Sequence, residues 1–163
     1  TGWHRAMNTG NLARLRFLAR VIGKELRHLE TTDRRLFAVP MTAERAASLS
    51  DDPDLAERVE AFVGRFGRLQ DTLADKLLPA LLGTLGEPVG PQIDNLDRAE
   101  RFGWIASTDQ WVATRQLRNR MVHEYMEDMT LLADALQSGH ESINMLRHAA
   151  NTMTRELESR GWL

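Results

Sequence analysis

Apolar residues recur every three or four positions along most of this chain, the spacing that places them on one face of an α-helix. One series predicts a first helix over about Thr9–Glu30, with leucine or isoleucine at positions 12, 15, 18, 22, 26 and 29. A longer series from Leu55 to Leu81 predicts a second helix. No alternating apolar and polar run of four or more residues is present, so the pattern predicts no strand.

Residues 31–53 separate these two helices and predict an irregular connection. Thr31-Thr32-Asp33 should break the first helix, and the segment Met41–Leu49 predicts a short helix within the connection. Asp52 is suited to cap the start of the second helix. Pro79, which has no backbone N–H, should kink that helix or end its regular hydrogen bonding.

Three further helices are predicted, over about Ile93–Ile105, Ser107–Gln137 and His140–Arg160. Asp94 is a plausible cap for the first of them, and Ser107 with Gln110 forms a capping box at the second. Ser138-Gly139 should break the chain after the second, and Gly161 should close the third.

Long helices joined by short breaks predict an all-α fold, an up-and-down four-helix bundle with an extra short helix. Residues 1–53 are predicted to be an N-terminal helix and irregular connection. Residues 54–163 are predicted to be the bundle core. The length of 163 residues suits one compact domain overall, with the N-terminal helix packed on the core.

The composition of the chain mainly excludes certain kinds of site and surface. The chain has no cysteine, which excludes disulfides and thiolate chemistry and is compatible with a reducing cytoplasm, the location we expect. No apolar run reaches the roughly 18 residues of a membrane span, so no membrane association is expected. A net charge of −2 rules out a strongly basic coat for nucleic acid but still allows a local basic cleft.

Most candidate motifs in the sequence do not indicate a catalytic, metal-binding or phosphate-binding site. Histidines 4, 28, 140 and 148 lack companions at metal-ligand spacing, and no phosphate-binding glycine loop is present, so no metal or other cofactor is expected. The paired carboxylates Asp71 with Asp75 and Glu124 with Asp128 are most simply solvated.

The segment Leu117–Tyr125 is different because it concentrates polar and titratable residues on one predicted helix. At 100° per residue, Asn119 and His123 share a face, and Arg118 and Tyr125 lie within about 20° of each other on another. Arg118 and His123 are about 140° apart, so they do not stack directly. The arginine side chain is long enough to lean towards His123, and a twofold partner can also bring a second copy into range.

A purely structural interpretation of this segment is also open. Arg120 can pair with Glu124 four residues later. Tyr125 can be a core aromatic, and His123 can be a hydrogen-bond partner of Asn119.

The spacing of Arg118, four residues, His123, one residue and Tyr125 resembles the Arg-X4-His-X-Tyr motif of HEPN-domain ribonuclease toxins, specifically the HepT-like members. A polar residue, Asn119, directly follows the arginine, and the motif lies late in a long predicted helix, as in that family. The resemblance covers Leu55–Leu136. The flanking segments that resemble the family are Phe66–Asp71, Ile93–Leu96 and Trp111.

The resemblance implies a homodimer in which Arg118 and His123 of both chains line one composite site. The implied activity is metal-independent endonucleolytic cleavage of RNA. His123 would be the general acid or base, and Arg118 would bind the scissile phosphate. Asn119 would orient His123, and Arg120 would be a supporting phosphate contact.

The HepT-like branch also implies a partner, the minimal nucleotidyltransferase (MNT) antitoxin. That enzyme transfers AMP to the motif tyrosine, here Tyr125, and so blocks the site. The chain would then be the toxin of a toxin–antitoxin pair. Two alternatives remain: a non-catalytic HEPN-like module that binds a nucleotidyltransferase or nucleotide, and a helical dimer without a site.

Overall fold

In the computed structural model, which describes residues 2–163 and the side chains of residues 10–125 and 127–163, the chain is helical and the described part contains no strand. The prediction of an all-α protein is therefore confirmed. The helices are α1 Gly2–Leu36, α2 Ala43–Ala47, α3 Pro53–Asp71, α4 Leu78–Thr84, α5 Gln92–Arg101, α6 Thr108–Glu127, α7 Met129–Glu141 and α8 Ile143–Ser159.

Helix α1 continues through the Thr31-Thr32-Asp33 segment, so the predicted break there is wrong. Both buried polar residues of this segment find partners on other elements. Arg65 of α3 donates to the Thr32 hydroxyl, and His140 of α7 lies 2.7 Å from the Asp33 carboxylate (Nδ1 to Oδ1). These partners replace the local backbone hydrogen bonds by which threonine and aspartate usually compete with a helix.

The connection after α1 contains the predicted short helix, which is α2, followed by a 3-10 turn over Ser48–Asp51. Arg45 on α2 donates to the carbonyl oxygens of Leu36 at 2.5 Å and Val39 at 2.6 Å. The connection is therefore tied to the last turn of α1.

Helix α3 begins where the sequence predicts, because the Asp52 carboxylate accepts a hydrogen bond from the backbone N–H of Leu55 at 3.1 Å. The chain then passes through a π-helical segment, Thr72–Leu77, into α4. Pro79 lies just after this segment and cannot donate to the carbonyl four residues earlier. The predicted interruption of regular hydrogen bonding near Pro79 is confirmed.

Several predicted boundaries in the second half are wrong. Helix α5 ends at Arg101, and Asp94 does not cap it, because Pro91 occupies the cap position. The helix predicted to reach Gln137 ends at Glu127, since Asp128 adopts an extended conformation and caps a separate helix, α7.

Helix α7 runs through the predicted break at Ser138-Gly139, and α8 begins at Ile143 instead of near His140. Gly139 is buried inside α7, where a Cβ atom would collide with Met121 and approach Phe62 to 3.2 Å. The glycine therefore permits close helix packing. Gly161, with φ of 72°, closes α8 as predicted.

Helix α3 packs against both α1 and α6, and α7 packs against both α6 and α2. Helix α8 contacts α1 and α7. Within the described residues, no helix combines the length and apolar character needed to cross a lipid bilayer.

Candidate functional site on helix α6

Helix α6 carries the five residues of interest and is anchored at its start and along its length. The Ser107 hydroxyl accepts a hydrogen bond from the Gln110 N–H at 3.2 Å, which confirms the predicted cap. Trp111, Leu117 and Met121 are buried in the core. The direction in which each remaining side chain of α6 projects is therefore fixed by the fold.

Arg118 projects toward α3. Its Nη2 atom lies 3.4 Å from the Asp71 Oδ2 atom, and about a third of its side chain (32%) is exposed. The side chain crosses α3 at Gly67, where an added Cβ atom would lie 2.7 Å from Arg118 Nε. Gly67 and Asp71 together form what we call the Arg118 seat.

The Asp71 carboxylate is shared with a second arginine of α6. Arg115 Nη2 lies 3.3 Å from Asp71 Oδ1 and 3.1 Å from Asp75 Oδ2, and Arg115 also donates to the side chain of Gln92. The expectation that Asp71 and Asp75 are merely solvated is wrong, because both bind arginine. This network joins α3, the π-helical segment, α5 and α6 around the seat.

His123 projects into solvent, with 68% of its side chain exposed. The nearest charged partner is its neighbour Glu124, whose Oε1 atom is 3.8 Å from His123 Nε2. Among the described side chains, no hydrogen bond joins Asn119 to His123, and Arg120 forms no ion pair with Glu124. Asn119 and Arg120 are both exposed beside His123.

Tyr125 is half-buried against the core, and its hydroxyl donates to Glu60 Oε1 of α3 at 3.1 Å. Burial raises the pKa of the Tyr125 phenol above its ordinary value of 10.0, and the hydrogen bond and negative charge of Glu60 raise it further. The phenol is therefore neutral and held in place near neutral pH.

The site residues thus fall into two groups. Arg118 and Tyr125 contact α3, in agreement with the predicted shared face, whereas Asn119, Arg120 and His123 form an exposed polar ridge. The fold does not bring Arg118 and His123 into contact within one chain. The sequence gives no sign of Gly67 and Glu60 as partners, because their role depends on how α3 is aligned against α6.

Comparisons with protein families, with curated proteins and with solved structures find no match to this chain.

Proposed function

We propose that this chain is a HEPN-type ribonuclease toxin, with a HEPN-like four-helix bundle that dimerises along α6 and acts in the cytoplasm. The observation that carries the proposal is the exposed imidazole of His123, placed five residues after an arginine whose side chain is held by the Arg118 seat. A histidine side chain exchanges protons near neutral pH, which general acid–base catalysis requires. An arginine fork suits phosphate oxygens.

The proposed reaction cleaves RNA by attack of its own 2′-hydroxyl. His123 of one chain removes the 2′-OH proton, and the 2′-oxygen forms a bond to phosphorus. The bond from phosphorus to the 5′-oxygen breaks, and a protonated His123 from the second chain supplies a proton to that leaving oxygen. The products are a 2′,3′-cyclic phosphate and a 5′-hydroxyl. Arg118 offsets the charge that develops on the phosphate oxygens.

A dimer is part of the proposal because of the separation between Arg118 and His123. In a single chain the two side chains project from different sides of α6, and Arg118 is paired with Asp71, so one phosphate would contact both only after Arg118 left its seat. Val122, which is 54% exposed, lies between them on the helix surface and offers an apolar contact for a second copy.

Control of the toxin is proposed to act through Tyr125. An MNT partner would transfer AMP from ATP: the phenol oxygen attacks the α-phosphorus, pyrophosphate leaves, and Glu60 accepts the phenol proton. The 3.1 Å hydrogen bond to Glu60 orients the phenol for that loss. Once Glu60 has released this proton to solvent, its carboxylate and the AMP phosphate are both negative and repel each other, so modification would separate Tyr125 from Glu60. Co-expression with the partner should add one AMP to the wild type and none to Tyr125→Phe, by intact mass.

The decisive experiment compares purified wild type, His123→Ala, Arg118→Ala and His28→Ala on a single-stranded RNA. His28 is an exposed histidine of α1 and serves as the matched control. We expect cleavage with 2′,3′-cyclic phosphate ends by wild type and His28→Ala, including in EDTA, and at least a hundredfold loss in the other two variants. Unchanged cleavage by His123→Ala would refute the proposed chemistry.

One observation favours a second function, a non-catalytic nucleotide-binding module. Arg118 is held at Asp71 on a different side of α6 from His123, so a phosphate bound to Arg118 in the single chain lies away from the imidazole. RNA binding that depends on Arg118, without cleavage by freshly purified unmodified protein, would support this function over the first. Induced expression in cells provides an independent check, because only a toxin arrests growth in a manner that depends on His123.

A further inference from the structure

A groove with a volume of about 600 Å³ lies beside the polar ridge, between α6 and the junction of α7 with α8. This volume falls within the range of small-molecule sites in proteins, roughly 300–1,000 Å³. Neither the motif nor the proposed mechanism assigns a role to it.

The lining of the groove is partly apolar, and we call this part its floor. Ala113 and Leu117 contribute from α6, and Met145 contributes from α8. The Thr114 hydroxyl, which also lines the groove, donates to the Gln110 carbonyl at 2.9 Å and lies 3.5 Å from the Met145 sulfur. The floor therefore has its hydroxyl satisfied internally and suits a flat, largely apolar group such as a nucleobase.

The polar part of the lining, which we call the rim, has Arg120 as its arginine and Glu141 as its carboxylate, beside the side chains of Gln110, Ser138, Ser142, Asn144 and His148. Arg120 lies at the rim and has no ion pair or hydrogen bond within the described part of the chain, unlike Arg115, Arg118 and Arg147. Glu141, at the end of α7, is exposed and, when ionised, only accepts hydrogen bonds. The rim thus offers a cation for a phosphate and an acceptor for the amino group of a base.

The position of Arg120 links the groove to His123. The two residues are three apart on α6, so they lie about one turn from each other and about 4.5 Å apart along the helix axis. A strand whose scissile phosphate is at His123 can therefore place an adjacent phosphate on Arg120 and the attached base in the groove.

We propose that this groove is a base-binding subsite for single-stranded RNA, with the base on the apolar floor, its phosphate on Arg120 and its amino group on Glu141. The subsite favours cytosine over uracil, because the two bases differ at the position where cytosine has an amino donor and uracil a carbonyl acceptor. It rests on the proposed function, since it selects the nucleotide next to the cleaved bond.

The test measures binding of 2′-O-methyl oligocytidylate and oligouridylate by fluorescence anisotropy. The 2′-O-methyl group blocks cleavage, so binding is measured whether or not the protein is a ribonuclease. Ala113→Trp fills the groove from an exposed helical position, and Ala13→Trp makes the same change at an exposed position of α1. Circular dichroism and light scattering check the fold and the oligomeric state of each variant.

We expect wild type and Ala13→Trp to bind oligocytidylate at least fivefold more tightly than oligouridylate. Ala113→Trp should weaken oligocytidylate binding at least tenfold, and Glu141→Gln should remove most of the preference. Equal binding of both oligomers by the wild type, or no effect of Ala113→Trp, would overturn the inference. A change of oligomeric state in Ala113→Trp alone would also overturn it, because the groove would then hold protein.

The proposed function fails separately. If His123→Ala and wild type prove equally inactive or equally active on ordinary RNA, the ribonuclease proposal is lost, while the binding preference for oligocytidylate still decides the role of the groove.

Discussion

At the scale of single residues, Gly67 is the position on which the geometry of Arg118 most depends. An added Cβ atom would lie 2.7 Å from Nε, 3.1 Å from Cζ and 3.2 Å from Cγ of Arg118, so most of the arginine side chain would have to move. Gly67→Ala should therefore reduce RNA cleavage at least tenfold. The free energy of unfolding should be kept, because alanine favours a helix over glycine by about 1 kcal/mol.

Gly64, one turn earlier on the same helix, provides the control. A Cβ atom there would meet only Arg68 Nη2 at 3.6 Å, an ordinary contact. Gly64→Ala should be stabilised by up to about 1 kcal/mol and cleave RNA at the wild-type rate. Denaturant unfolding and initial cleavage rates measure both effects, and equal rates in the two variants would show that the Arg118 seat is not required.

The pKa of Tyr125 gives a prediction that is independent of any activity. This is the only tyrosine of the chain, so ultraviolet absorbance near 295 nm reports its ionisation directly. We expect a midpoint above the ordinary value of 10.0, because burial and Glu60 both disfavour the phenolate. Glu60→Gln should lower the midpoint without restoring 10.0, since burial is the larger cause.

The same shift determines how Tyr125 affects stability at high pH. The folded state holds the phenol proton more tightly than the unfolded chain does. The resulting stabilisation is complete below pH 10 and is lost as the pH rises through the raised pKa. A midpoint at or below 10 in the folded protein would contradict the hydrogen bond of the half-buried phenol to Glu60.

At the scale of elements, Asp128 separates α6 from α7 and thereby ends the helix that carries the motif. Its carboxylate accepts hydrogen bonds from the N–H groups of Thr130 at 2.9 Å and Leu131 at 3.1 Å. Asp128→Ala should lower the free energy of unfolding by about 1 kcal/mol, a typical cost of losing such a cap. Asp128→Asn retains an acceptor oxygen and should change it little, which denaturant titration will show.

The elements also show what the sequence could and could not predict. The caps at Asp52 and Ser107 are local signals, and they identify the starts of α3 and α6 correctly. Periodicity alone is less exact, because it predicts a start of the first helix near Thr9, whereas α1 begins at Gly2. Whether a helix-breaking residue ends its helix depends on contacts with other helices. Thr32 and Asp33 stay within α1 because their side chains contact Arg65 and His140. Gly139 stays within α7 because it permits close packing against Met121 and Phe62.

The same limit applies to the candidate site. The seven-residue spacing of Arg118 and Tyr125 predicts their shared face, and the structure places both against α3. The identities of Asp71 and Glu60 as their partners follow only from the alignment of α3 with α6. The spacing of residues along the sequence does not show how two helices are aligned against each other.

At the scale of the whole molecule, the proposed active unit is two chains, and Val122 provides the test. Its side chain is 54% exposed on the α6 surface next to His123, where a twofold contact would bury it. Val122→Glu would place a charge in that contact, and two such charges would face each other across the axis. We expect the variant to be a folded monomer with at least a hundredfold slower RNA cleavage.

Val89, in the loop between α4 and α5, is exposed to nearly the same extent (52%) but is not part of α6. Val89→Glu should therefore remain dimeric and active. This control would show that a loss of activity in Val122→Glu is not caused by the added charge alone. Sedimentation velocity gives the oligomeric state of both variants. A wild type that is monomeric at the concentration where it cleaves RNA would refute the composite site. In that case one chain would have to bring Arg118 and His123 together by releasing Arg118 from Asp71.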